Sequence, residues 1–371
     1  MKRLELITDL ARIRQNASEI RKRMPQNVRM MCVVKADAYG HGAAQTAGTL
    51  NASGLADAFA VATCQEGRKL RQSIKGVPIL VLGLLTCDED AKTAVDEDLT
   101  QAISTPREVR MLAQAASRAK KNAQVHIKVD TGMSRVGARG QAELAELLDA
   151  LKLEKNLFVT GLFSHLCAAD EDEEYTLIQK ARFDRAAAAV KSAGYDPVCH
   201  LAASTAMLRE GFGYGMVRAG IALYGTGVKE LEGAIKPAQT LSSHPVAFRD
   251  IDKGETVGYG RRFTAERPTR IMTVPCGYGD GYPRILSGKS CVLVNGRRAN
   301  TVGNICMDML MADVTGIPDI SFSSKVTLMG EDGGERITPD ELADLAETIP
   351  YEIMLGFSAR AERSWTNTER E

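Results

Sequence analysis

A lysine at the end of an apolar run is followed by a Gly-rich, ring-bearing turn in the segment VVKADAYGHG, residues 33–42. The lysine, Lys35, is expected at the lip of a buried strand, where its ammonium group is partly removed from water. Removal from water favours the neutral form of an amine and frees it to act as a nucleophile. A nucleophilic lysine indicates Schiff-base chemistry, either with a carbonyl substrate or with pyridoxal phosphate (PLP).

Further polar residues follow other apolar runs at corresponding positions. They are Lys128 and Arg135 in HIKVDTGMSRVG, His165 in GLFSHL, His200 and Ser204 in HLAAS, and Arg218 and Gly220 in MVRAGIALYG. Backbone N–H groups near Gly220 and Ile221 are suited to holding a phosphate group. The hydroxyl groups of Tyr39 and Ser204 would add contacts to the same group. The sequence shows no HExxH motif, no evident serine–base triad and no carboxylate pair of the glycosidase type.

Each of these residues also has a purely structural interpretation when it is taken alone. Lys35 is then a charge at the end of a strand, and Tyr39 packs with its hydroxyl group at the rim. His165 and His200 are then core histidines with satisfied hydrogen bonds. Because several such residues fall at equivalent positions of successive segments, a shared functional site is the better explanation.

The first 225 residues alternate between apolar, β-branched runs and stretches with helical periodicity. The apolar runs cover residues 30–34, 58–62, 78–83, 100–104, 125–129, 158–163, 198–202 and 219–225. The helical stretches cover residues 10–24, 41–53, 64–73, 88–96, 106–120, 140–153, 175–193 and 204–210. Continuous apolar strands that alternate with helices indicate a parallel sheet buried on both faces.

Eight such strands predict an α/β fold of the TIM type, an eight-stranded parallel β/α barrel whose chemistry lies at the carboxyl ends of the strands. The polar residues described above fall at those ends. An open doubly wound sheet is the main alternative, but no GxGxxG turn follows the first strand.

The pattern changes near residues 229–240 to short strand-like runs separated by Gly, Pro, Asn and Asp. The segment VNGRR predicts a tight hairpin. The segment TPDEL predicts the start of a helix near 339–348, with Thr338 as its cap. We therefore predict a barrel domain at 1–236 and a mostly-β domain at 237–371.

The composition is that of a globular protein, with 371 residues, 44% apolar and 25% charged residues, and a formal net charge of zero. This length predicts two domains. A neutral chain offers no electrostatic footprint for nucleic acid or an anionic membrane, and no apolar run is long enough to span a bilayer. The N-terminus lacks a signal-peptide core, so we expect a cytoplasmic location. The eight cysteines are scattered without a CxxC pair, which predicts buried thiols and no metal site.

The segment VVKADAYGHG resembles the PLP-attachment signature of bacterial alanine racemases. Further segments are similar to motifs of that family in the same order and at approximately the same spacing: HIKVDTGMSRVG, FSHL, HLAAS, VRAGIALYG, VGYGRRF, GYGDGYPR, NICMDM and IPYEI. The resemblance covers nearly the whole chain. It implies a PLP-binding eight-stranded α/β barrel followed by a β-rich domain, in agreement with the pattern of elements.

The resemblance implies racemisation by two bases on opposite faces of the cofactor. Lys35 carries PLP and serves one face, while Tyr259 serves the other. In that family the tyrosine comes from the partner subunit, so a homodimer with shared active sites is expected. Arg218 faces the pyridine nitrogen, and His165 and His200 connect it towards Tyr259. Because arginine does not give up its proton, the ring nitrogen stays unprotonated, which limits transamination.

The same resemblance implies the other contacts of cofactor and substrate. The phosphate group is held by Tyr39, Ser204, Gly220, Ile221 and Tyr351. Arg135 neutralises the substrate carboxylate or the phenolic oxygen, and Lys128 matches a lysine that is often carbamylated and positions this arginine. Tyr278, Met307 and Asp308 match the partner-derived wall of the site, where Met307 binds the substrate.

Two positions bear on the details of this site. Ala203 stands where many relatives have asparagine, which puts one peripheral hydrogen bond in doubt and leaves Ser204 in place. Relatives that prefer serine tend to have a smaller residue at the position of Tyr351, so the tyrosine favours alanine as the substrate.

These inferences predict an alanine racemase activity that supplies D-alanine for peptidoglycan. One alternative is a PLP-dependent racemase of serine or of broader specificity, which would use the same Lys35 chemistry. Barrel PLP decarboxylases share the architecture, but their motifs fit poorly. A non-catalytic PLP-binding protein would not need both Lys35 and Tyr259, and a metal-dependent barrel hydrolase would need a metal ion.

Overall fold

Eight parallel strands form a nearly closed barrel. The computed structural model describes residues 2–357 and 359–367. Up to residue 219 its strands are β1 (Leu4–Asp9), β2 (Arg29–Val33), β3 (Ala58–Val61), β4 (Ile79–Val81), β5 (Thr100–Ile103), β6 (Ala123–Asp130), β7 (Ala138–Arg139), β8 (Leu157–Phe163), β9 (Val198–His200) and β10 (Met216–Ala219). The barrel order is β10-β2-β3-β4-β5-β6-β8-β9, with every neighbouring pair parallel. A parallel bridge between Ala203 and Arg218 joins the chain after β9 to β10. The predicted β/α barrel is confirmed.

Helices cover the outside of the barrel. They are α1 (Leu10–Arg23), α3 (Ala43–Ala52), α4 (Cys64–Ser73), α5 (Asp88–Asp96), α6 (Pro106–Ala119), α7 (Gly140–Lys152) and α8 (Glu173–Ser192), while α2 (Lys35–Tyr39) is a short turn at the end of β2. In the described chain, no helix is both long and apolar enough to cross a membrane.

Helix α6 shows how the sequence sets these outer elements. Thr105 accepts a hydrogen bond from the Glu108 N–H, and the Glu108 carboxylate accepts one from the Thr105 N–H, forming a capping box. Val109, Leu112 and Ala116 recur at helical spacing and are buried. This apolar stripe covers the barrel strands, and the polar stripe faces outward.

The second part of the chain is mostly β, as predicted. Its elements are β11 (Gln239–Ser243), β12 (Ala247–Ile251), β13 (Thr256–Val257), β14 (Phe263–Thr264), β15 (Thr269–Val274), β16 (Cys291–Val294), β17 (Arg297–Asn300), β18 (Leu310–Asp313), β19 (Val326–Asp332), β20 (Glu335–Ile337), α9 (Pro339–Ala346), α10 (Pro350–Gly356) and β21 (Glu362–Thr366). The main sheet has the order β17-β16-β19-β11-β1-β21, and a smaller sheet has the order β12-β15-β18. Residues 358 and 368–371 of the predicted second domain lie outside the described residues.

The predicted hairpin at VNGRR is confirmed. It joins β16 to β17 with Val294 opposite Arg297. Asn295 and Gly296 both have positive φ angles, of 49° and 69°. Two consecutive residues in this region are typical of the type I′ turn that matches the twist of a two-residue hairpin.

The first strand, β1, belongs to the sheet of the second part, although it opens the chain. It pairs antiparallel with β11 and parallel with β21. Leu4 and Leu6 are buried in the core formed mainly by residues 241–361, whereas the barrel core begins at Ile13. Helix α1 follows directly, with Asp9 as its cap. One continuous segment therefore ties the two cores together.

Some segments differ from the sequence-based predictions. The run 219–225, predicted as a strand, holds only the last residue of β10, and Ile221–Tyr224 forms a 3-10 turn. These turn residues are apolar and fully buried, a pattern that a turn inside a core shares with a buried strand. Residues 204–210, predicted as a short helix, form turns instead. Helix α10 was not predicted, because seven residues are too few to show a helical period.

Candidate active site

A cavity opens at the carboxyl ends of the barrel strands, and most of the predicted site residues line it. They are Lys35, Tyr39, Lys128, Arg135, His165, Ser204, Arg218, Gly220, Ile221 and Tyr351. Lys35 follows β2, Lys128 lies near the end of β6, and Arg218 lies in β10. His200 is fully buried behind this cavity and contacts Arg218. Tyr351 reaches the cavity from α10, so the second part of the chain supplies one wall.

Four predicted residues lie elsewhere. Tyr259, Tyr278, Met307 and Asp308 are exposed on the second part of the chain and do not line the cavity of the described chain. Tyr259 is 74% exposed, a high value for a residue with so much apolar surface. The Asp308 carboxylate lies 2.7 Å from Arg360 Nη2. The fold of one chain therefore does not bring these four residues to the others.

The cysteines and the other potential metal-ligating side chains of the described residues do not form a metal site. The eight cysteines are free, and Cys87 and Cys167 are exposed. The prediction that the cysteines are buried is wrong for these two, because Cys87 caps α5 at the surface and Cys167 lies in the loop after β8. Cys199 and Cys306 are only partly buried, and the other four cysteines are buried as predicted. Within residues 2–357 and 359–367, no group of three or more His, Cys, Asp and Glu side chains is arranged to hold a metal ion.

Lys35 begins a left-handed turn. Residues 36–39, Ala-Asp-Ala-Tyr, have φ angles between 50° and 55°, and Gly40 follows with a φ of 83°. This conformation costs a non-glycine residue about 1–2 kcal/mol. Glu66 accepts a hydrogen bond of 2.9 Å from the first backbone N–H of the turn. The turn brings Lys35 and Tyr39 into the same cavity, although they lie four positions apart along the chain.

The Lys35 amine is held away from water. Burial, followed by the positive charge of Arg135, lowers the pKa of Lys35 below the usual lysine value. The Arg218 charge acts in the same direction, and the Glu66 carboxylate opposes it. The amine therefore loses its proton more readily than a surface lysine and becomes available as a nucleophile.

Arg218 lies beneath the cavity and is only 3% exposed. Its Nη1 donates to both Nδ1 and the carbonyl oxygen of His200, each at 2.9 Å. Its Nη2 donates to the carbonyl oxygens of Ser164 and Leu201 and to Nδ1 of His165, at 2.8, 2.9 and 3.1 Å. Burial lowers the pKa of Arg218 to about 10, so the guanidinium group keeps its charge at neutral pH.

A chain of buried histidines continues from Arg218. Because Arg218 donates to Nδ1 of His200, neutral His200 carries its proton on Nε2 and donates to Nδ1 of His126 at 2.9 Å. Burial, and then the charge of Arg218, lower the pKa of His126 and of His165 to about 3. The same causes hold the pKa of His200 well below its usual value. The three rings are therefore neutral, and the guanidinium group sets their tautomers.

Two contributors to this arrangement were missed by sequence reasoning. His126 lies two positions before Lys128 on β6, and side chains two apart share a strand face. That spacing in HIKVD is the signal that could have found it. The Phe163 ring stacks on His200 with centroids 4.9 Å apart, and Lys128 Nζ lies 5.4 Å from the ring centroid. Phenylalanine carries no chemical group that would have marked it.

The pKa of Lys128 is unusually low for a lysine. The residue is 5% exposed, and its Nζ donates to the Val129 carbonyl oxygen at 2.9 Å. Burial, and then the charge of Arg218, lower the pKa of Lys128 to about 7. A large fraction of this amine is therefore neutral at neutral pH, unlike that of an ordinary lysine.

Hydroxyl and backbone amide groups converge at one end of the cavity. Ser204 Oγ accepts hydrogen bonds from the N–H groups of Gly220 and Ala222 at 2.9 and 3.4 Å. A Cβ atom on Gly220 would stand 3.0 Å from Tyr39 Oη, so glycine keeps this space open. The Tyr351 ring packs beside the Tyr39 ring with centroids 5.6 Å apart. This cradle fits a phosphate group.

The lysine with a lowered pKa, the buried arginine and the cradle make this cavity the candidate active site of a β/α barrel. Comparison with protein families agrees with that class. The alanine racemase N-terminal domain matches residues 8–227, and the alanine racemase C-terminal domain matches residues 238–365. The chain belongs to the alanine racemase family.

Individual relatives agree over nearly the full length. The chain is 39% identical over 367 residues to the alanine racemase of Citrifermentans bemidjiense, covering 96% of each chain. It is 38% identical over 362 residues to alanine racemase 1 of Bacillus subtilis, covering 96% of this chain and 91% of that one. These similarities make the protein an amino-acid racemase.

Solved structures give the same result. Alanine racemase from Streptomyces coelicolor A3(2) has a TM-score of 0.93 at 32% identity, covering 99% of this chain and 98% of that one. Alanine racemase from Bacillus anthracis with bound L-Ala-P has a TM-score of 0.91 at 31% identity, covering 100% and 96%. Both the barrel and the β-rich part therefore have counterparts in the family.

Proposed function

We propose that this racemase uses PLP, attached at Lys35, to interconvert L-alanine and D-alanine. The observation that carries the proposal is the Lys35 amine, whose pKa is lowered by burial in the cavity that also holds Tyr39, Ser204 and Gly220. A neutral lysine amine is the group to which an aldehyde cofactor attaches. Bound PLP supplies an electron sink that makes the Cα–H of an amino acid acidic.

The cofactor's two ends would meet different groups of the chain. We assign the phosphate group to Tyr39, Ser204, Gly220, Ile221 and Tyr351. Arg218 would donate towards the ring nitrogen from beneath the cavity. Because Arg218 keeps its charge and is bound to His165 and His200, it would hold its own proton and leave the ring nitrogen of bound PLP unprotonated. Such an arrangement would weaken the electron sink and favour proton return over transamination.

Inversion at Cα needs a base on each face of the substrate. We assign Lys35 to one face and Tyr259 to the other. Tyr259 is 74% exposed and does not line its own chain's cavity in the described residues, so a second copy would have to deliver it. We therefore propose a homodimer in which the exposed residues Tyr259, Tyr278, Met307 and Asp308 face the cavity of the other subunit. Met307 would contact the substrate there.

Arg135 and Lys128 would orient the substrate. Arg135 lines the cavity, and we assign it to the substrate carboxylate or to the phenolic oxygen of the cofactor. The pKa of about 7 at Lys128 leaves much of its amine neutral, and the neutral amine is the form that reacts with carbon dioxide. A carbamate at Lys128 would place a negative charge within electrostatic reach of Arg135 and hold its guanidinium group.

We favour alanine as the substrate because the large Tyr351 ring lines the cavity beside Tyr39, where a smaller residue would leave more room. Such packing discriminates between substrates that differ by one small group by only about 1–3 kcal/mol of binding free energy. A racemase of serine or of broader specificity is therefore the alternative. Family membership favours a racemase over a barrel decarboxylase, a metal-dependent hydrolase and a non-catalytic PLP-binding protein. We further propose a cytoplasmic enzyme whose D-alanine supplies peptidoglycan.

We also propose that the chain divides into domains 1–236 and 237–371. The barrel core extends to Ala238, and the second core resumes at Leu241. The two family domains match residues on either side of this point. Strand β1 precedes this boundary in the sequence but pairs with β11 in the main sheet of the second part. The boundary therefore divides the sequence into two parts, although that sheet contains a strand from each part.

Proton exchange at Cα of L-alanine in deuterated water tests the proposed chemistry. Nuclear magnetic resonance follows deuterium incorporation, and a chiral assay follows D-alanine. We expect the wild type to show both, and we expect Lys35→Ala and Tyr259→Phe to lose D-alanine formation. Serine run under the same conditions provides the substrate comparison.

Two outcomes would change the assignment. Exchange and inversion that persist in Tyr259→Phe would show that the second base lies elsewhere. Exchange with serine and none with alanine would keep the lysine chemistry and overturn the proposed substrate.

A further inference from the structure

The left-handed turn at residues 36–39 is held by side chains from the far end of the chain. The Gly40 carbonyl oxygen, just after the turn, accepts a hydrogen bond of 2.6 Å from Arg363 Nη1. The next carbonyl oxygen, that of His41, accepts one of 2.8 Å from Trp365 Nε1. These two donors lie more than 320 positions away from their acceptors along the chain.

Both donors come from β21, the last strand of the main sheet. Arg363 and Trp365 are two positions apart, so their side chains leave the strand on the same face. The strand is parallel to β1, with Leu6 opposite Arg363 and Thr8 opposite Trp365. Since β1 continues directly into α1 of the barrel, the donors are fixed relative to the barrel.

The remaining carbonyl oxygens of this region are also braced by side chains. His41 Nδ1 lies 3.0 Å from the carbonyl oxygens of both Ala38 and Tyr39. Burial lowers the pKa of His41 to about 4, so the ring is neutral and donates through Nδ1. Gln239 Nε2 gives Gly40 a second donor at 2.8 Å. Four successive carbonyl oxygens, of residues 38–41, therefore accept from side chains.

We propose that Arg363 and Trp365 are positioning residues of the cofactor site, which clamp the left-handed turn and thereby set where Lys35 and Tyr39 enter the cavity. The inference rests on the proposed function, because it takes Lys35 as the attachment point of PLP. A left-handed run of non-glycine residues is unfavourable by itself and persists where its surroundings hold it. Loss of a donor lowers the fraction of chains with the turn in place, which weakens apparent cofactor affinity in proportion.

The test compares Trp365→Phe and Arg363→Gln with Ser364→Ala in the full chain. Ser364 lies between the two donors on β21, and its Oγ donates to Glu5 at 3.0 Å, so its loss disturbs the same strand without removing a contact to the turn. Trp365→Phe keeps an aromatic ring beside the turn and removes the N–H donor together with part of the indole. Arg363→Lys restores a cation and a donor.

The measured quantity is the dissociation constant of PLP, followed by visible absorbance on cofactor-depleted protein with equal folded fractions by circular dichroism. We expect an increase of about three- to tenfold for Trp365→Phe and for Arg363→Gln, the size of one lost hydrogen bond. Ser364→Ala should match the wild type, and Arg363→Lys should recover most of the affinity. If Arg363→Gln does not fold, the dissociation constant of Trp365→Phe alone tests the proposal.

Trp365 is the single tryptophan of the chain, which gives a second readout independent of activity. We expect its emission in the cofactor-depleted protein to differ between Arg363→Gln and the wild type and to be unchanged in Ser364→Ala. Equal PLP affinities in Trp365→Phe, Arg363→Gln and Ser364→Ala would refute the clamp. Failure of the wild type itself to bind PLP would refute the proposed function, so the two failures are distinct.

Discussion

Burial decides the protonation of the ionisable side chains around this cavity. It lowers the pKa of Lys35 and brings that of Lys128 to about 7, so both amines give up their protons readily. Arg218 starts from a much higher value and reaches only about 10, so it remains a cation. The neighbouring histidines, His165 among them, become neutral acceptors or donors around it. Amines with lowered pKa values beside a fixed cation suit nucleophilic attachment and carboxylate binding.

Replacing Lys128 by Met should flatten the pH dependence of stability. Its pKa is about 7 in the folded protein and about 10.4 when unfolded. Between these values the unfolded chain binds more protons, so stability rises with pH and is lost as pH falls towards 7. The contribution is at most about 1.4 kcal/mol per pH unit. Urea unfolding of cofactor-depleted protein in carbonate-free buffer across this window measures the slope.

The control for this experiment is Lys152→Met, since Lys152 has a side chain that is 53% exposed. We expect it to keep the wild-type slope. Equal slopes for Lys128→Met and the wild type would contradict the lowered pKa of Lys128.

Replacing Arg218 by Glu should shift the enzyme from racemisation towards transamination. A carboxyl group can share a proton with the pyridine nitrogen of the proposed PLP cofactor. Arg218 instead holds its own proton through its contacts with His165 and His200. We expect the ratio of pyruvate to D-alanine formed to rise on the order of tenfold or more. Chiral and keto-acid assays on the same reaction give this ratio. An unchanged ratio in folded protein would show that Arg218 has another role.

At the scale of elements, the site combines regular and irregular segments. Strands β6 and β10 and helix α10 supply Lys128, Arg218 and Tyr351. The left-handed turn at 36–39 and the Ser204 region, which lie between regular elements, supply Tyr39 and Ser204. The barrel strands fix the ends of these segments, while side-chain hydrogen bonds fix their interiors.

Gly40→Ala should destabilise the protein more than Gly54→Ala. Both glycines have positive φ, of 83° and 65°. A Cβ on Gly40 would stand 2.9 Å from the Met354 carbonyl oxygen, whereas nothing lies within 4 Å at Gly54. We expect a loss of about 2–4 kcal/mol at Gly40 and about 1–2 kcal/mol at Gly54. Urea unfolding measures both, and equal losses would contradict close packing of the turn against α10.

At the scale of the whole molecule, the exposure of four predicted site residues is the main structural argument for a shared site. Tyr259 and Met307 are 74% and 54% exposed, and Tyr278 and Asp308 are exposed on the same part of the chain. A chain that left its second base in solvent could not return a proton to the opposite face of a substrate in its own cavity.

Mixing two inactive variants should restore activity if the sites are shared. Lys35→Ala and Tyr259→Phe are each expected to be inactive as homodimers. A mixed dimer has both lesions in one site and none in the other. After subunit exchange in equal amounts, half of the dimers are mixed, so activity should return to about one quarter of the wild-type value. Sites contained in single chains would leave the mixture inactive.

The barrel and the cavity residues were accessible from the sequence to different degrees. Apolar runs and turn residues are local signals, so seven of the eight barrel strands and the VNGRR hairpin are close to where the pattern places them. For helix α6, both the cap and the buried apolar stripe can be predicted from a few neighbouring residues. Lys35 and Tyr39 are close enough in the sequence to predict that they share a cavity. The role of His126 can be predicted only when the geometry of its strand is also considered.

The sequence by itself determined the alternation of strands and helices, the β-rich second part and the motif residues of the cavity, because these depend on local periodicity and on residue type. Tertiary structure decided the rest. It placed β1 beside β21, set His126 behind His200, and brought Arg363 and Trp365 to the turn after Lys35. These contacts join residues far apart along the chain. The protonation states likewise follow from burial and from neighbouring charges, which exist only once the chain has folded.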